Sequence, residues 1–170
     1  MPLIIPALAA GLGTVQPAEQ EGVAVSALTS AWLNYVQGAS VLGVPALRPV
    51  LDGLPRQAFQ GPLNGIALQG TAATRLQAAI LAFWAACGPL ATAIWIIPPP
   101  TIIVPGTLIP PPGNASLAAS ILADFVSNTS GKLQLQAAGA VLARTIGLAQ
   151  LGGTIQTQVL PAAPVITPIL

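Results

Sequence analysis

Residues 88 to 112 read GPLATAIWIIPPPTIIVPGTLIPPP, a stretch with eight prolines and no charge. Proline fixes φ, lacks a backbone N–H and clashes with the carbonyl four residues back. No long helix can run through such a segment. Sheet interiors reject it as well, because each proline leaves a gap in the hydrogen-bond ladder. Pro98 to Pro100 and Pro110 to Pro112 therefore predict short polyproline pieces, with the β-branched TIIV between them extended. A segment this apolar and this stiff is either part of a membrane-embedded region or the dry seam of an assembly.

Charge separates the two. Only nine of 170 residues are charged: Glu19, Glu21, Asp52 and Asp124 against Arg48, Arg56, Arg75, Lys132 and Arg144. That is 5% of the chain, against about 25% in ordinary soluble domains. Apolar residues make up 54% and the mean hydropathy is +0.78. A lone globule of this length cannot hide so much apolar surface, so the excess must meet lipid or another chain. The net charge is +1 and no two basic residues lie closer than eight positions. Direct nucleic-acid binding, which needs clustered Lys and Arg, is not expected.

The chemistry is sparse. With no histidine, the usual proton shuttle is missing, and neither a Ser-His nor a Cys-His arrangement can form. Glu19 and Glu21 are the closest carboxylates. At i, i+2 they point to different helix faces and suit a helix N-terminus better than a paired acid and base. One cysteine without histidine cannot make a zinc site, and no cluster of oxygen ligands suggests calcium. GLGTVQ at 11 to 16 lacks the phosphate-loop lysine and the full dinucleotide fingerprint. Cys87, flanked by Ala86 and Gly88, reads as a buried inert thiol. Arg75 reads as a solvated helix residue. The N-terminal MPLIIPALAAGLG has no basic region ahead of its apolar one, so no cleaved signal peptide is expected. The matches to the glycosylation sequon at Asn114 and Asn128 then read as chance. No catalytic, cofactor-binding or metal-binding residue is expected, and the chain is not expected to be an enzyme.

The pattern predicts a mainly α fold: several short alanine-rich helices joined by proline-rich extended segments, with extended apolar N- and C-terminal arms. Residues 1–16 are the N-terminal arm, extended or a short helix, 17–149 a helical domain with a proline-rich connector at 88–113, and 150–170 the C-terminal arm. A helix over 17–37 places Val25, Leu28, Trp32 and Val36 on one face, with Pro17 and the two acids at its start. Residues 38–70, broken by ten Gly and Pro, allow only short turns such as 46–52 or 55–60. The strongest helix spans 71–87, with Leu76, Ile80, Phe83, Trp84 and Cys87 in one stripe, and Gly88-Pro89 should end or kink it. Gly113-Asn114 supplies a turn and an N-cap candidate. Further helices are predicted to about 127 and over 132–149. Beyond them Ile155, Thr157 and Val159 alternate with Gln156 and Gln158 like a strand, but three prolines follow, which favours an extended arm over a sheet interior.

The membrane alternative is one span near residues 78–97. Those residues are uncharged and long enough to cross a bilayer, but Gly88-Pro89 falls at their midpoint and frees backbone groups that lipid cannot satisfy. A secreted apolar binding protein would call for a signal peptide and paired cysteines. An assembly subunit accounts for more of the chain, because obligate interfaces are apolar and preformed polyproline loses little entropy on docking.

The layout of Ala82-Phe83-Trp84 in an alanine-rich helix, Pro98 to Pro100, Pro105 to Thr107, Pro110 to Gly113 and a further alanine-rich helix resembles small structural proteins of tailed bacteriophage particles. The resemblance covers about residues 71 to 170 and is one of layout, without a signature motif. It implies a non-enzymatic virion component of the tail, neck or baseplate, assembled in the host cytoplasm and packed against other copies of itself and other structural subunits. From the sequence itself, the candidate subunit-interface residues are Trp84, Trp95, Ile96, Ile97, Pro98, Pro99, Pro100, Ile102, Ile103, Val104, Ile155, Val159 and Ile169.

Overall fold

A computed structural model describes residues 5–13, 21–37, 40–41, 44–45, 53–64, 71–91, 106–128, 135–151, 154–157 and 165–168. The described chain is mainly α. Its helices are α1 (Ile5–Gly13), α2 (Glu21–Val36), α3 (Leu54–Leu63), α4 (Ala72–Ala91), α5 (Leu117–Asn128) and α6 (Leu135–Ala149). A 3-10 turn, Pro112–Ser116, leads into α5. Strands β1 (Ser40–Val41) and β2 (Val44–Pro45) form a small antiparallel pair. Strands β3 (Gly106–Ile109), β4 (Thr154–Thr157) and β5 (Val165–Pro168) form an antiparallel sheet in the order β3-β4-β5.

Helix α4 is the hub. It packs against α3, α5, β3 and the 3-10 turn, while α1 bridges α2 and α6. The predicted stripe on α4 is the buried one: Leu76, Ile80, Phe83, Trp84 and Cys87 all lie inside. On α2, Val25, Trp32 and Val36 are buried as the spacing predicts, and Leu28 packs against their edge. Thr29 is also fully buried there. Its hydroxyl is satisfied by donating to the Val25 carbonyl at 2.7 Å, the i−4 bond that lets a buried threonine sit in a helix.

Several elements depart from the sequence expectation. Residues 5–13 take the short-helix form of the N-terminal arm and not the extended one. Leu8 and Leu12, one turn apart, join the core. Pro6 falls in the first turn of α1, where its missing N–H removes no helical bond. Gly11 brings α1 against α2, since a Cβ there would lie 2.9 Å from the Ala31 Cβ. In the segment expected to hold only short turns, α3 runs for ten residues. Pro55 sits in its first turn and Pro62 near its end, and Phe59 and Leu63, one turn apart, are fully buried. Tertiary burial here outweighs poor propensity. Helix α4 also continues through Gly88-Pro89 to Ala91. A proline in the last turn costs one i→i−4 bond and leaves the preceding turns intact.

Parts of both proline-rich segments pair in the sheet. The connector residues Gly106–Ile109 pair with Thr154–Thr157 of the same chain, with Leu108 opposite Ile155. Within residues 150–170, Thr154–Thr157 and Val165–Pro168 are paired strands, and β4 is the central one. The physical reason is placement: β4 holds no proline, so both sides of its ladder can form. Pro168 lies on β5, an edge strand, where a missing N–H is tolerated.

Candidate functional site

Five aromatic side chains from three helices close the interior. Trp32 stacks on Phe59 with ring centroids 5.5 Å apart and planes 3° from parallel. Its other neighbours Phe83 and Trp84 meet it edge to face, at 5.5 and 6.5 Å. Tyr35 lies 5.6 Å from Trp32. Offset-stacked and edge-to-face pairs are favoured by the ring quadrupole. Burial pushes the Tyr35 phenol up to about 12 and the Cys87 thiol likewise to about 12, because neither ionised form would be solvated. Cys87 is thus buried, as the sequence predicts, and its thiol stays protonated at neutral pH.

A polar chain runs from this core to the start of α5. The Trp84 Nε1–H donates to Gln150 Oε1 at 2.8 Å, and Gln150 Nε2 donates to Asn114 Oδ1 at 2.6 Å. All three residues are buried. An indole N–H can only donate, so Trp84 fixes the orientation of both amides. Asn114 is therefore an internal strut between the 3-10 turn and the end of α6, where the sequence suggested a helix cap. The Asn114 Nδ2 and Trp32 Nε1 donors are buried and meet no acceptor among the described residues. Gly113 lies against the same end of α6. A Cβ on it would sit 2.7 Å from both the Cα and the carbonyl oxygen of Ala149.

Above that strut, the 3-10 turn, α5 and α6 enclose a cleft of about 370 Å³ lined by Gly113, Ser116, Ser120, Asp124, Thr145, Leu148 and Ala149. Ser120 and Asp124, at i and i+4, share one face of α5, and Ser116, the last residue of the 3-10 turn, continues it. The Thr145 hydroxyl, on α6, donates to the Asp124 carboxylate, and Thr145 also lies 3.0 Å from the Val141 carbonyl. Ser120 Oγ donates to the Ser116 carbonyl at 3.2 Å. The two serines are exposed, Asp124 is half-buried and Thr145 is buried. The cleft therefore offers hydroxyls, one carboxylate and the apolar flank of Leu148. Among the described residues no three His, Cys, Asp or Glu lie together as metal ligands would.

The sequence-derived interface residues fall differently. Trp84 is 1% exposed and belongs to this chain's own core, so it is not a surface that a neighbouring subunit can meet. Ile155 stands in β4, the central strand. Trp95, Ile96, Ile97, Pro98, Pro99, Pro100, Ile102, Ile103, Val104, Val159 and Ile169 lie outside the described residues. Arg75 is a second correction. It is half-buried, and its guanidinium donates to the carbonyls of Asn64 and of Pro62, the latter at 3.4 Å. A cation at the open carbonyls of α3 complements the negative end of that helix. Gln77 does similar work on α4: its side chain donates to the Ala115 carbonyl at 3.0 Å and accepts from the Ala118 N–H at 2.8 Å. Single-residue reading had no signal for Arg75 or Gln77, because their partners are distant in sequence. The i, i+4, i+8 spacing of Ser116, Ser120 and Asp124 was the one legible mark of the cleft.

No protein-family model, curated protein or solved structure matches this chain. Among the described residues, no helix is long and apolar enough to cross a membrane.

Proposed function

We propose that this chain is a non-enzymatic structural subunit of a large protein assembly, of the kind found in the tail, neck or baseplate of a tailed bacteriophage particle. The observation that carries the reading is apolar surface left over after the core is full. The aromatic interior is sealed, yet Val23, Leu54, Leu122, Leu148 and Leu151 are each more than half exposed. They sit on or just beyond four different helices, so they cannot all serve one small ligand. A subunit with neighbours on several sides needs apolar groups on several faces. The scarcity of charge fits the same role, since charged groups are depleted at the core of interfaces. The phage assignment itself rests on the layout of alanine-rich helices and proline-rich connectors.

The test is sedimentation of the native protein on a density gradient, with and without mild detergent, followed by mass spectrometry of the fractions. The expected result is co-sedimentation with a heavy particle that survives detergent. Release from light membranes by detergent would sink the reading and favour the span near residues 78–97.

A further inference from the structure

The inference concerns which surface meets a second copy, and it rests on the proposed structural role. Helix α6 and the turn after it turn one row outward. Ala140, Arg144, Leu148 and Leu151 fall at i, i+4, i+8 and i+11, and every one is exposed. Leu148 and Leu151 are 54% and 65% exposed, so two large apolar groups and one guanidinium form a ridge. Arg144 meets no acid among the described residues. Beside the ridge, α5 presents a shelf of small side chains. Ser116, Ala119, Ser120 and Ala123 are all exposed on the face that carries Asp124. Between ridge and shelf lies the cleft, with the Asp124 carboxylate half-buried in its wall.

We propose that this α5–α6 face is the contact between two copies of the chain, related by a two-fold axis. The ridge of each copy lies on the shelf of the other, and the Arg144 guanidinium of each approaches the Asp124 side of the other's cleft. A two-fold interface must be self-complementary, so a knob and its hole have to lie on one surface. This face meets that condition in shape and in charge. Large groups on α6 stand beside small ones on α5, and one cation stands beside a carboxylate-lined cleft. A cleft of about 370 Å³ is large enough to take a leucine side chain and part of a guanidinium stem. The carboxylate need not be idle in the single chain. Its hydrogen bond from Thr145 holds it in place, and a placed acceptor binds an incoming guanidinium with less ordering cost.

The experiment is sedimentation equilibrium of the full chain and of three variants, Leu148→Glu, Arg144→Asp and Asp124→Arg, with far-ultraviolet circular dichroism to confirm helicity. Leu148 and Arg144 are exposed, so those two changes should leave folding intact. The expected result is a concentration-dependent dimer for the unaltered chain. Leu148→Glu and Arg144→Asp should each weaken association by roughly tenfold or more. Mixing Arg144→Asp with Asp124→Arg should restore part of the loss, because both contacts then join opposite charges, one as in the unaltered chain and one reversed. Association that is unchanged by Leu148→Glu and Arg144→Asp overturns this face and leaves the structural reading standing. A clean monomer at high concentration overturns both.

Discussion

Replacing Gln150 by methionine tests the polar chain beneath the cleft. Methionine keeps the length and most of the volume of glutamine but loses both polar ends. Two buried partners would then be stranded: the Trp84 indole N–H, now satisfied at 2.8 Å, and the Asn114 carbonyl oxygen, now satisfied at 2.6 Å. Gln150 is only 3% exposed, so water cannot replace it without opening the core. Each orphaned group costs about 1–3 kcal/mol, which sums to roughly 2–6 kcal/mol. The apolar gain from a thioether offsets about 1 kcal/mol of this. The net expectation is a loss of roughly 1–5 kcal/mol, a large share of the 5–15 kcal/mol typical of a domain. Urea unfolding followed by tryptophan fluorescence would show a lower midpoint at an unchanged slope. Trp84→Phe removes the indole donor and should be less than additive with Gln150→Met, because the second change then strands one group fewer. A midpoint shift worth under about 0.5 kcal/mol, or strict additivity of the two, would refute the claim that this chain locks α6 to the start of α5.

Gly113→Ala should destabilise by about 1–3 kcal/mol, since the new methyl meets the Ala149 backbone at 2.7 Å. Gly147→Ala should cost less in the same melt, because its methyl meets only the Ile5 side chain, at 2.5 Å, and alanine favours the helix by about 1 kcal/mol. Arg75→Met should lower the unfolding midpoint by about 1–3 kcal/mol, as the α3 carbonyls at Pro62 and Asn64 lose a charged donor. Limited proteolysis should then cut near residue 64 sooner than in the unaltered chain. Tyr35 and Cys87 are both held protonated to about 12. The unfolded chain releases those protons from about pH 8.5 for cysteine and about pH 10 for tyrosine. The native state therefore binds more protons in between, and stability should be full below about pH 8.5 and fall as pH rises towards 12. A thermal-melt series from pH 7 to 11 checks this, and Cys87→Ala should flatten the early part of the decline.

Helical periodicity carried far in this sequence, and its failures share one cause. The stripe on α4 and the buried positions Val25, Trp32 and Val36 on α2 were legible because each repeat lies within one uninterrupted helix. The helical form of α1, the ten-residue α3 and the central place of β4 were not. In each case proline argued locally against regular structure, and contacts from distant residues reversed the balance. Leu8 and Leu12 gain burial beside α2 and α6, while Phe59 stacks on Trp32. The local rule remained sound in one respect. Each proline now seen within an element stands where its missing N–H costs least: Pro6, Pro55 and Pro112 in first turns, Pro62 and Pro89 near helix ends, Pro45 and Pro168 on edge strands. Trp84 misled in the other direction. A tryptophan in an alanine-rich helix suits an interface as well as a core, and only the partner at Gln150, 66 positions away, decides between them.

The same balance explains how a chain with nine charges can have an ordered interior and an apolar exterior. Aromatic burial and amide hydrogen bonds hold the described core. Surface salt bridges contribute little to stability in any case, about 0–1 kcal/mol each. What surface charge does supply is solubility and resistance to association. On the proposed structural role, a chain that gives up that protection while keeping Leu122, Leu148 and Leu151 in the open has those groups covered by its neighbours. The described core closes within the chain, and on that proposal the surface is completed by other subunits. This difference is why the most informative substitutions come in two sets. Changes at Gln150 and Arg75 should alter stability and leave association intact, and changes at Leu148 and Arg144 should do the reverse. A chain in which both sets moved both quantities together would be one whose core forms only on assembly, and the separation of core from contact surface drawn from this fold would then fail.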